Sequence, residues 1–228
     1  PLRSSAASDV YKRQAIYGGN QHFCAILDNG DMKCWGRDHE GQLGDGGNDT
    51  DTNAPSSTAI DLGTGRTAVA VSAGQYNTCA ILDNGDLKCW GRDNEGQLGD
   101  GGNNNNAHTP SSTAIDLGTG RTAVAVSVGH EHTCAILDNG DLKCWGSDDY
   151  GQLGNGGTNN RLKSPSATAI DLGTGRTAVA ITAGNGHTCA ILDNDDLKCW
   201  GRDNKGQLGD GGSNTDTNTP SSTAIDLG

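Results

Sequence analysis

Short apolar runs, separated by clusters of glycine, asparagine, aspartate and proline, are the main pattern along this chain. The runs at 123–127, 133–137, 142–146 and 168–172 are each typical of a short β-strand, because they are rich in strand-forming residues and bounded by turn residues. No window shows apolar residues at the period of 3.6 that an amphipathic helix requires. The pattern therefore predicts an all-β fold with four short strands in each unit.

The same pattern recurs every 55 residues, so the chain is a tandem repeat. The block at 24–47 returns at 79–102 with two differences in 24 positions, and further copies begin at Cys134 and Cys189. Residues 1–14 match nothing downstream, and we treat them as an extraneous or unmatched segment outside the fold. The predicted repeats are residues 15–68, 69–123, 124–178 and 179–228, the last of them truncated.

The turn at 83–86 (Asp-Asn-Gly-Asp) joins two strands, and its length decides which residues face each other. A two-residue loop would place Cys79 opposite Trp90, whereas a three-residue loop with glycine in the left-handed region places Cys79 opposite Cys89. We favour the three-residue loop because both sulfur atoms then lie on one face within reach of a disulfide. In the fourth repeat Asp195 replaces this glycine, and aspartate tolerates the left-handed region better than most residues.

In this register both faces of the hairpin are apolar. A hairpin that is apolar on both sides must be covered on both sides, so the repeats are expected to stack as a series of sheets. The pattern indicates tandem four-stranded antiparallel blades that form a β-propeller-like structure or an open arc or superhelical array. One face carries Cys79, Ile81, Leu87 and Cys89, and the other carries Ala80, Leu82 and Trp90.

All eight cysteines occupy two equivalent positions in each repeat, and none is left over. A metal site would need Cys-x-x-Cys spacing or nearby histidine ligands, and a gap of nine residues does not fit that spacing. We expect an intra-hairpin disulfide in each repeat, with reduced buried cysteines or a metal site as alternatives. Because disulfides persist in oxidising compartments, we predict an extracellular or cell-surface location. The expected pairs are Cys24 and Cys34, Cys79 and Cys89, Cys134 and Cys144, and Cys189 and Cys199.

Charge and composition argue against two classes of partner. Acidic residues outnumber basic ones by 28 to 16, so the net charge is −12 and the surface would repel nucleic-acid phosphates. The longest apolar runs, such as 123–126, are far shorter than the ~20 residues of a membrane-spanning helix. Leucine, isoleucine, valine and phenylalanine are few enough to suggest disorder, but their strict phasing favours a folded chain.

The motifs of the third repeat resemble those of a known family. Residues 129–135 (Gly-His-Glu-His-Thr-Cys-Ala), Trp145-Gly146 and 151–154 (Gly-Gln-Leu-Gly) are similar to the repeat of the regulator of chromosome condensation family. The resemblance covers 15–228 and implies four-stranded blades of the kind that close into a seven-bladed propeller. The paired cysteines resemble those of secreted and cell-surface members. Because the long insertion of the founding member is missing, the resemblance implies the fold and not nucleotide exchange on a small GTPase.

Side chains able to support catalysis recur once per repeat, which favours structural roles. The histidines are expected to wedge beside the hairpin rather than to bind a ligand. The acidic residues after the third strand lack the order of an EF-hand loop and are expected to accept hydrogen bonds within turns, with calcium binding as the alternative. The histidines are His22, His132 and His187, with Asn77 in the second repeat, and the acidic residues are Asp93, Glu95 and Asp100.

The remaining motifs give no catalytic or cofactor site. The segment 118–121 (Gly-Thr-Gly-Arg) lacks the lysine of a phosphate loop, and no Gly-x-Ser-x-Gly motif occurs. We therefore predict a protein without enzymatic activity, metal or cofactor. Asn48 begins an Asn-x-Thr sequence and is a candidate glycosylation site. The four tryptophans are expected to fill the space between sheets, with a ligand-binding stripe as the alternative: Trp35, Trp90, Trp145 and Trp200.

Three functions are compatible with these features. The first is an extracellular structural protein that assembles end to end through its terminal blades into a fibre or surface array, with other copies of itself or further repeats as partners. The second is a secreted propeller that binds a protein as a scaffold or inhibitor. The variable loops that follow the third strand, which we call the outer loops, contain few aromatic or arginine anchors for such binding; they are 100–112 in repeat 2 and the equivalent segments that begin at Asp45, Asn155 and Asp210. The third, nucleotide exchange, ranks last.

Overall fold

The protein is described from a computed structural model, which covers residues 13–47, 50–102, 105–158, 160–212 and 214–228. Asn48, the candidate glycosylation site, lies outside these described residues. Within them the chain forms short strands and turns without a helix, as the apolar pattern predicts. The strands are β1 (Arg13–Gly18), β2 (His22–Leu27), β3 (Met32–Gly36), β4 (Ala68–Ala73), β5 (Asn77–Leu82), β6 (Leu87–Gly91), β7 (Ala123–Val128), β8 (His132–Leu137), β9 (Leu142–Gly146), β10 (Ala178–Ala183), β11 (His187–Leu192) and β12 (Leu197–Gly201).

The strands form four antiparallel sheets, and each sheet is a meander of three consecutive strands. We number these sheets blades 1 to 4 in chain order, so that blade 1 contains β1 to β3 and blade 4 contains β10 to β12. Within the described ranges the array of blades is open: blades 1 and 4 each have one apolar face on which no other described blade packs. Each first strand contains a bulge at its second residue, and in blades 2 to 4 this residue is an outward-facing valine: Val69, Val124 and Val179.

The three-residue hairpin loop is confirmed. Cys79 lies opposite Cys89, and the Leu82 amide donates a hydrogen bond to the Asp86 carbonyl at 2.9 Å. Gly85 has a φ of 81°, and Asp195 adopts the same left-handed conformation with a φ of 68°. A side chain at Gly85 would also collide with Thr122 in the linker to the next blade, so space requires the glycine there and the left-handed conformation favours it.

The predicted assignment of residues to two faces is also confirmed. We call the face of each blade that carries its cysteines the cysteine face, and the opposite one the tryptophan face. The cysteine face of blade 2 packs against the tryptophan face of blade 3, where Ala135, Leu137 and Trp145 are buried. We call each contact between two consecutive blades a junction and number the three junctions in chain order. The first and third junctions repeat the arrangement of the second, so each buried core lies between blades rather than within one.

The prediction of a fourth strand in each blade is wrong. Segment 168–172 makes a single backbone hydrogen bond to the sheet, from the Ile170 amide to the Leu142 carbonyl at 2.8 Å. At the other end of β9, Gly146 pairs with Leu162 in an isolated bridge. The chain between these two points contains Pro165, which has no amide to donate, and it leaves the sheet edge. The apolar pattern of this segment instead reflects the burial of Ile170 between blades.

The structure joins the two cysteines of every hairpin by a disulfide. Each bridge closes a short loop around the turn, and in the chain-entropy model a loop of this length stabilises the fold by about 2–3 kcal/mol. No free cysteine occurs among the described residues.

We expect that alkylation of the unfolded protein without reductant leaves its mass unchanged, and that eight adducts form after reduction, since the chain contains 8 cysteines. The double variant C79S/C89S should lose about 2–3 kcal/mol of unfolding free energy in urea denaturation. Adducts on the unreduced protein would contradict the disulfide assignment.

Candidate functional site

The junctions between blades contain the buried polar network of the molecule, and each is organised around one backbone carbonyl. The Gln97 carbonyl of blade 2 accepts hydrogen bonds from Thr133 Oγ1 at 2.9 Å and from Trp145 Nε1 at 3.0 Å, both in blade 3. Gln42 and Gln152 supply the equivalent carbonyls in the other two junctions. A buried indole N–H needs such an acceptor, so this contact sets the register of one blade on the next.

The expected core role of the tryptophans is confirmed for the three that lie in junctions. Trp90, Trp145 and Trp200 have no exposed surface. Trp35 is partly exposed, because no blade covers the tryptophan face of blade 1. The last glycine of the first three Gly-Gln-Leu-Gly motifs makes room for the indole of the next blade: a Cβ on Gly99 would overlap Trp145 Nε1.

The predicted structural role of the histidines is confirmed for the two that face a following blade. Thr188 Oγ1 donates its single proton to the Gln152 carbonyl, so it accepts a hydrogen bond from His132 Nε2 at 2.9 Å. Among the described residues, the buried Nδ1 of His132 has no hydrogen-bond partner, so His132 is neutral with its proton on Nε2. His22 makes the same contact with Thr78 at 2.8 Å.

Burial sets the protonation of these histidines. Desolvation lowers the pKa of His132 from 6.5 to about 3 and the pKa of His22 to about 4. Desolvation also raises the pKa of Asp93 and of Asp148 from 3.8 to about 6, against the opposing effect of the backbone amide that each accepts. These shifts come from packing between and within blades, so they do not by themselves indicate catalysis.

The acidic residues after the third strand accept hydrogen bonds within turns, as predicted, with one exception. Asp93 Oδ1 accepts the Leu98 amide at 2.9 Å, and Asp100 Oδ1 accepts the Gly102 amide at 2.7 Å. Glu95 instead forms an ion pair with Arg161 of the next blade. The described residues contain no group of three or more metal-ligating side chains in position to hold an ion.

The two outermost faces of the array are apolar and exposed. Ile191, on the cysteine face of blade 4, is 41% exposed, whereas the equivalent Ile81 and Ile136 are 2% exposed. On the tryptophan face of blade 1, Ile16 is 56% exposed and the equivalent Val71 is 3% exposed. Exposed apolar patches of this kind mark interaction surfaces in soluble proteins.

Sequence reasoning missed a cluster that three blades build along one edge of the array. We call it the rim cluster: Arg37, Tyr76, Arg92, His130 and Glu131. The two guanidinium carbons lie 5.4 and 5.1 Å from the centre of the tyrosine ring, and the histidine ring lies 5.9 Å away. Arg92 Nη1 is 3.6 Å from Glu131 Oε1.

The rim cluster combines residues from three repeats, so no single motif indicates it. Comparison of the repeats is the signal that would have found it. Repeats 2 and 3 are identical over 78–91 and 133–146, yet they differ at Tyr76 and Arg92, where repeat 3 has Glu131 and Ser147. The differences therefore concentrate on the edge where the first and third strands end.

Comparisons with known proteins agree with this architecture. A family model described as "Regulator of chromosome condensation (RCC1) repeat" matches residues 14–42, 68–97, 123–152 and 178–207, and a second model of the same description matches 29–81, 84–136 and 139–191. The ultraviolet-B receptor UVR8 of Arabidopsis thaliana is 31% identical over 211 residues, which are 92% of this chain and 46% of UVR8. The chain spans less than half the length of the curated relatives it matches.

Solved structures share the fold at low identity. Human WBSCR16 superposes with a TM-score of 0.83 at 20% identity, over 96% of this chain and 54% of WBSCR16. Yeast RCC1 (Prp20), in its complex with Kap60, superposes with a TM-score of 0.79 at 19% identity, over 97% of this chain and 50% of Prp20. None of the described segments forms a helix with the length and apolarity needed to cross a bilayer.

Gly99→Ala tests the space that the motif provides for the indole. Gly99 and Gly209 have φ values of 78° and 67°, so alanine is strained at both, but a Cβ on Gly209 would meet Ile225 Cγ2 only at 3.8 Å. We expect Gly99→Ala to lose about 1–3 kcal/mol more unfolding free energy than Gly209→Ala, because it also overpacks a junction. Equal losses in urea denaturation would show that the overlap is unimportant.

His132→Asn tests the neutral histidine, with Asn77 as the natural precedent at this position. The pKa of His132 is about 3 in the fold and near 6.5 when unfolded, so the unfolded chain binds more protons between these values. The contribution of His132 to stability is therefore present above pH 6.5 and is lost as pH falls towards the folded pKa.

We expect the stability difference between parent and His132→Asn to change by about 1.4 kcal/mol per pH unit between pH 6 and 4, in favour of the variant at low pH. The raised pKa values of Asp93 and Asp148 make the fold more stable as pH falls, which is the opposite of the effect of His132. Both carboxyls are present in parent and variant, so their contribution cancels in the stability difference. Urea denaturation at several pH values measures the difference. A difference that does not vary with pH would show that His132 is not buried as described.

Proposed function

Because this chain belongs to the regulator of chromosome condensation (RCC1) repeat family, we propose that it is a non-enzymatic structural protein whose copies assemble end to end through their terminal blades into a fibre or surface array. One observation carries the proposal. The cysteine face of blade 4 has the same residues as the covered faces of blades 2 and 3, yet its Ile191 is 41% exposed whereas Ile81 and Ile136 are 2% exposed.

The chemistry of the two open faces favours contact with each other. The open face of blade 4 carries Cys189, Ile191 and Leu197, and inside the chain the equivalent residues bury a tryptophan face. The open face of blade 1 is a tryptophan face with Trp35. A contact between unlike faces is heterologous, so it repeats from copy to copy and builds a ring or an open filament. The apolar area that each face exposes provides the driving force.

The four disulfides support the proposed location. Structural disulfides are stable outside the reducing cytosol, so an extracellular or cell-surface protein fits the bridged hairpins. Glycosylation of Asn48 would accompany that location.

Protein binding through one edge of the array is the second candidate function, and the rim cluster is the observation in its favour. Tyrosine and arginine are enriched among the residues that dominate binding energy at interfaces. Tyr76 lies between Arg37 and Arg92 at the edge where the repeats differ, which is where a partner would distinguish one repeat from another. Yeast Prp20, a structural relative, is seen bound to the protein Kap60. For nucleotide exchange, the described residues provide no supporting feature.

Sedimentation equilibrium and negative-stain microscopy of the purified chain test end-to-end assembly. We expect the average mass to rise above the 23.4 kDa of one chain as concentration approaches ~100 μM, and we expect filaments or arcs made of several copies. Association driven by apolar faces should strengthen with temperature near 25 °C. A mass that stays at one chain across this range would refute the assembly.

The rim cluster provides the control for the second candidate. Tyr76→Ala removes its central ring but lies on neither open face, so it should leave end-to-end assembly unchanged. Loss of assembly in Tyr76→Ala would show that copies associate through the rim cluster instead.

A further inference from the structure

Each internal junction carries, at its edge, one pair of side chains that differs from junction to junction. In the first junction Asn106 Nδ2 donates to Glu40 Oε2 at 2.6 Å. In the second, Glu95 and Arg161 form an ion pair. Both pairs join the same two repeat positions, one in the Gly-Gln-Leu-Gly turn of a blade and one in the outer loop of the following blade.

In the third junction the corresponding residue of the Gly-Gln-Leu-Gly turn contacts a different position of the next blade. The equivalent residues there are Tyr150 and Asp216, and the tyrosine ring instead stacks against the Arg202 guanidinium of blade 4, whose carbon lies 4.6 Å from the ring centre. The residue at this position of the turn (Glu40, Glu95 or Tyr150) therefore contacts the next blade in all three junctions. The contact is a hydrogen bond in the first, an ion pair in the second and a cation–π contact in the third.

The two open ends present residues of opposite charge at these positions. Lys205 of blade 4 is exposed and stands where Glu40 and Glu95 stand in blades 1 and 2. Asp51, in the outer loop of blade 1, stands where Arg161 stands in the third repeat. Its Oδ1 accepts the Asp38 amide at 3.0 Å and lies 3.3 Å from His39 Nε2, and its side chain is 57% exposed. A copy docked in the internal register would bring these two side chains together.

Resting on the assembly proposed above, we propose that Lys205 of one copy pairs with Asp51 of a second copy, and that the contact between copies reproduces the register of the internal junctions. The pair has the charges of Glu95 and Arg161 with their order reversed. Opposite charges at an interface edge fix register and favour the correct partner more than they add affinity.

The space beside the last glycine of each Gly-Gln-Leu-Gly motif, which we call the indole socket, is also consistent with this register in blade 4. Gly44, Gly99 and Gly154 each lie against the tryptophan of the following blade. Gly209 is the equivalent glycine, and its nearest atom beyond its neighbours would lie 3.8 Å from an added Cβ. The socket at Gly209 is therefore open, and Trp35 of a second copy is the indole that fits it.

The contact between copies lacks the threonine hydroxyl of the internal junctions. Phe23 of blade 1 replaces Thr78, Thr133 and Thr188, whose hydroxyls donate to the glutamine carbonyls and, at Thr78 and Thr188, also accept from a histidine of the preceding blade. Phe23 is 47% exposed and stacks on Trp35 with ring centres 6.0 Å apart. The contact between copies is therefore weaker than an internal junction, and Phe23→Thr, which supplies the hydroxyl, should tighten it by about fivefold.

A charge exchange tests the pairing with residues that the chain already uses at these positions. Lys205→Glu copies Glu95, and Asp51→Arg copies Arg161. By sedimentation equilibrium at constant salt, each single variant should associate about fivefold more weakly, because like charges then meet. The double variant should recover the parent association constant, and so should an equimolar mixture of the two single variants.

Two controls separate pairing from other effects. Asp86→Arg makes the same change in net charge as Asp51→Arg at the hairpin turn, outside both open faces, and it should not weaken association. Gly209→Ala fills the indole socket, so it should abolish association while the chain stays folded by circular dichroism.

The outcomes distinguish the pairing from the assembly itself. If the parent associates but neither single charge variant weakens it, the Lys205–Asp51 pairing is wrong and end-to-end assembly stands. If the parent stays a monomer at every concentration measured, both the end-to-end assembly and the Lys205–Asp51 pairing are wrong. The pairing is supported if both single variants have a lower association constant than the parent and if the double variant and the mixture regain the parent value.

Discussion

The contact between the cysteine face of one blade and the tryptophan face of the next is the interaction on which this structure depends. A three-stranded sheet of short strands, apolar on both sides, has no interior of its own, and its buried residues lie between blades. Glycine provides the turns and the close approaches, but it contributes little apolar area. Stability therefore comes from stacking and from the disulfide that holds each hairpin in register.

The same contact explains why the repeats are nearly identical where they are. In junction 2, the Gln97 carbonyl, Gly99 and Trp145 fit together only if all three keep their places. A change in one residue disturbs two blades, so, with Phe23 and Asn77 as exceptions on the blade faces, most of the variation lies at the edge positions and in the outer loops. Those positions hold the rim cluster and the pairs Glu40–Asn106 and Glu95–Arg161. Variable chemistry at the edges of a constant core allows selective contacts without loss of the fold.

The proposed assembly and the proposed protein binding would use different parts of the same array. Assembly would use the open ends, where Ile191 and Trp35 have the chemistry of covered residues, and binding would use the rim cluster, which lies across three blades. The acidic net charge of −12 opposes association of copies, so contacts between them depend on a well-matched apolar face rather than on general attraction. The two functions are compatible, because neither surface covers the other.

The sequence by itself determined the repeat length and the order of the first three strands, because the 55-residue period and the short apolar runs are local features. The turn at 83–86 allowed two registers, and the chance of a disulfide favoured the one that pairs Cys79 with Cys89, which the structure shows. The sequence also determined which residues face each side, since side chains alternate along a strand. Its expectation of a fourth strand failed because apolar residues such as Ile170 are equally typical of a strand and of a segment buried between blades. Only the tertiary structure decided that His132 bonds Thr188, that Glu95 meets Arg161 and that Tyr76 lies between two arginines. These contacts join residues of different repeats, and their geometry follows from how one blade is rotated on the next, which no local pattern encodes.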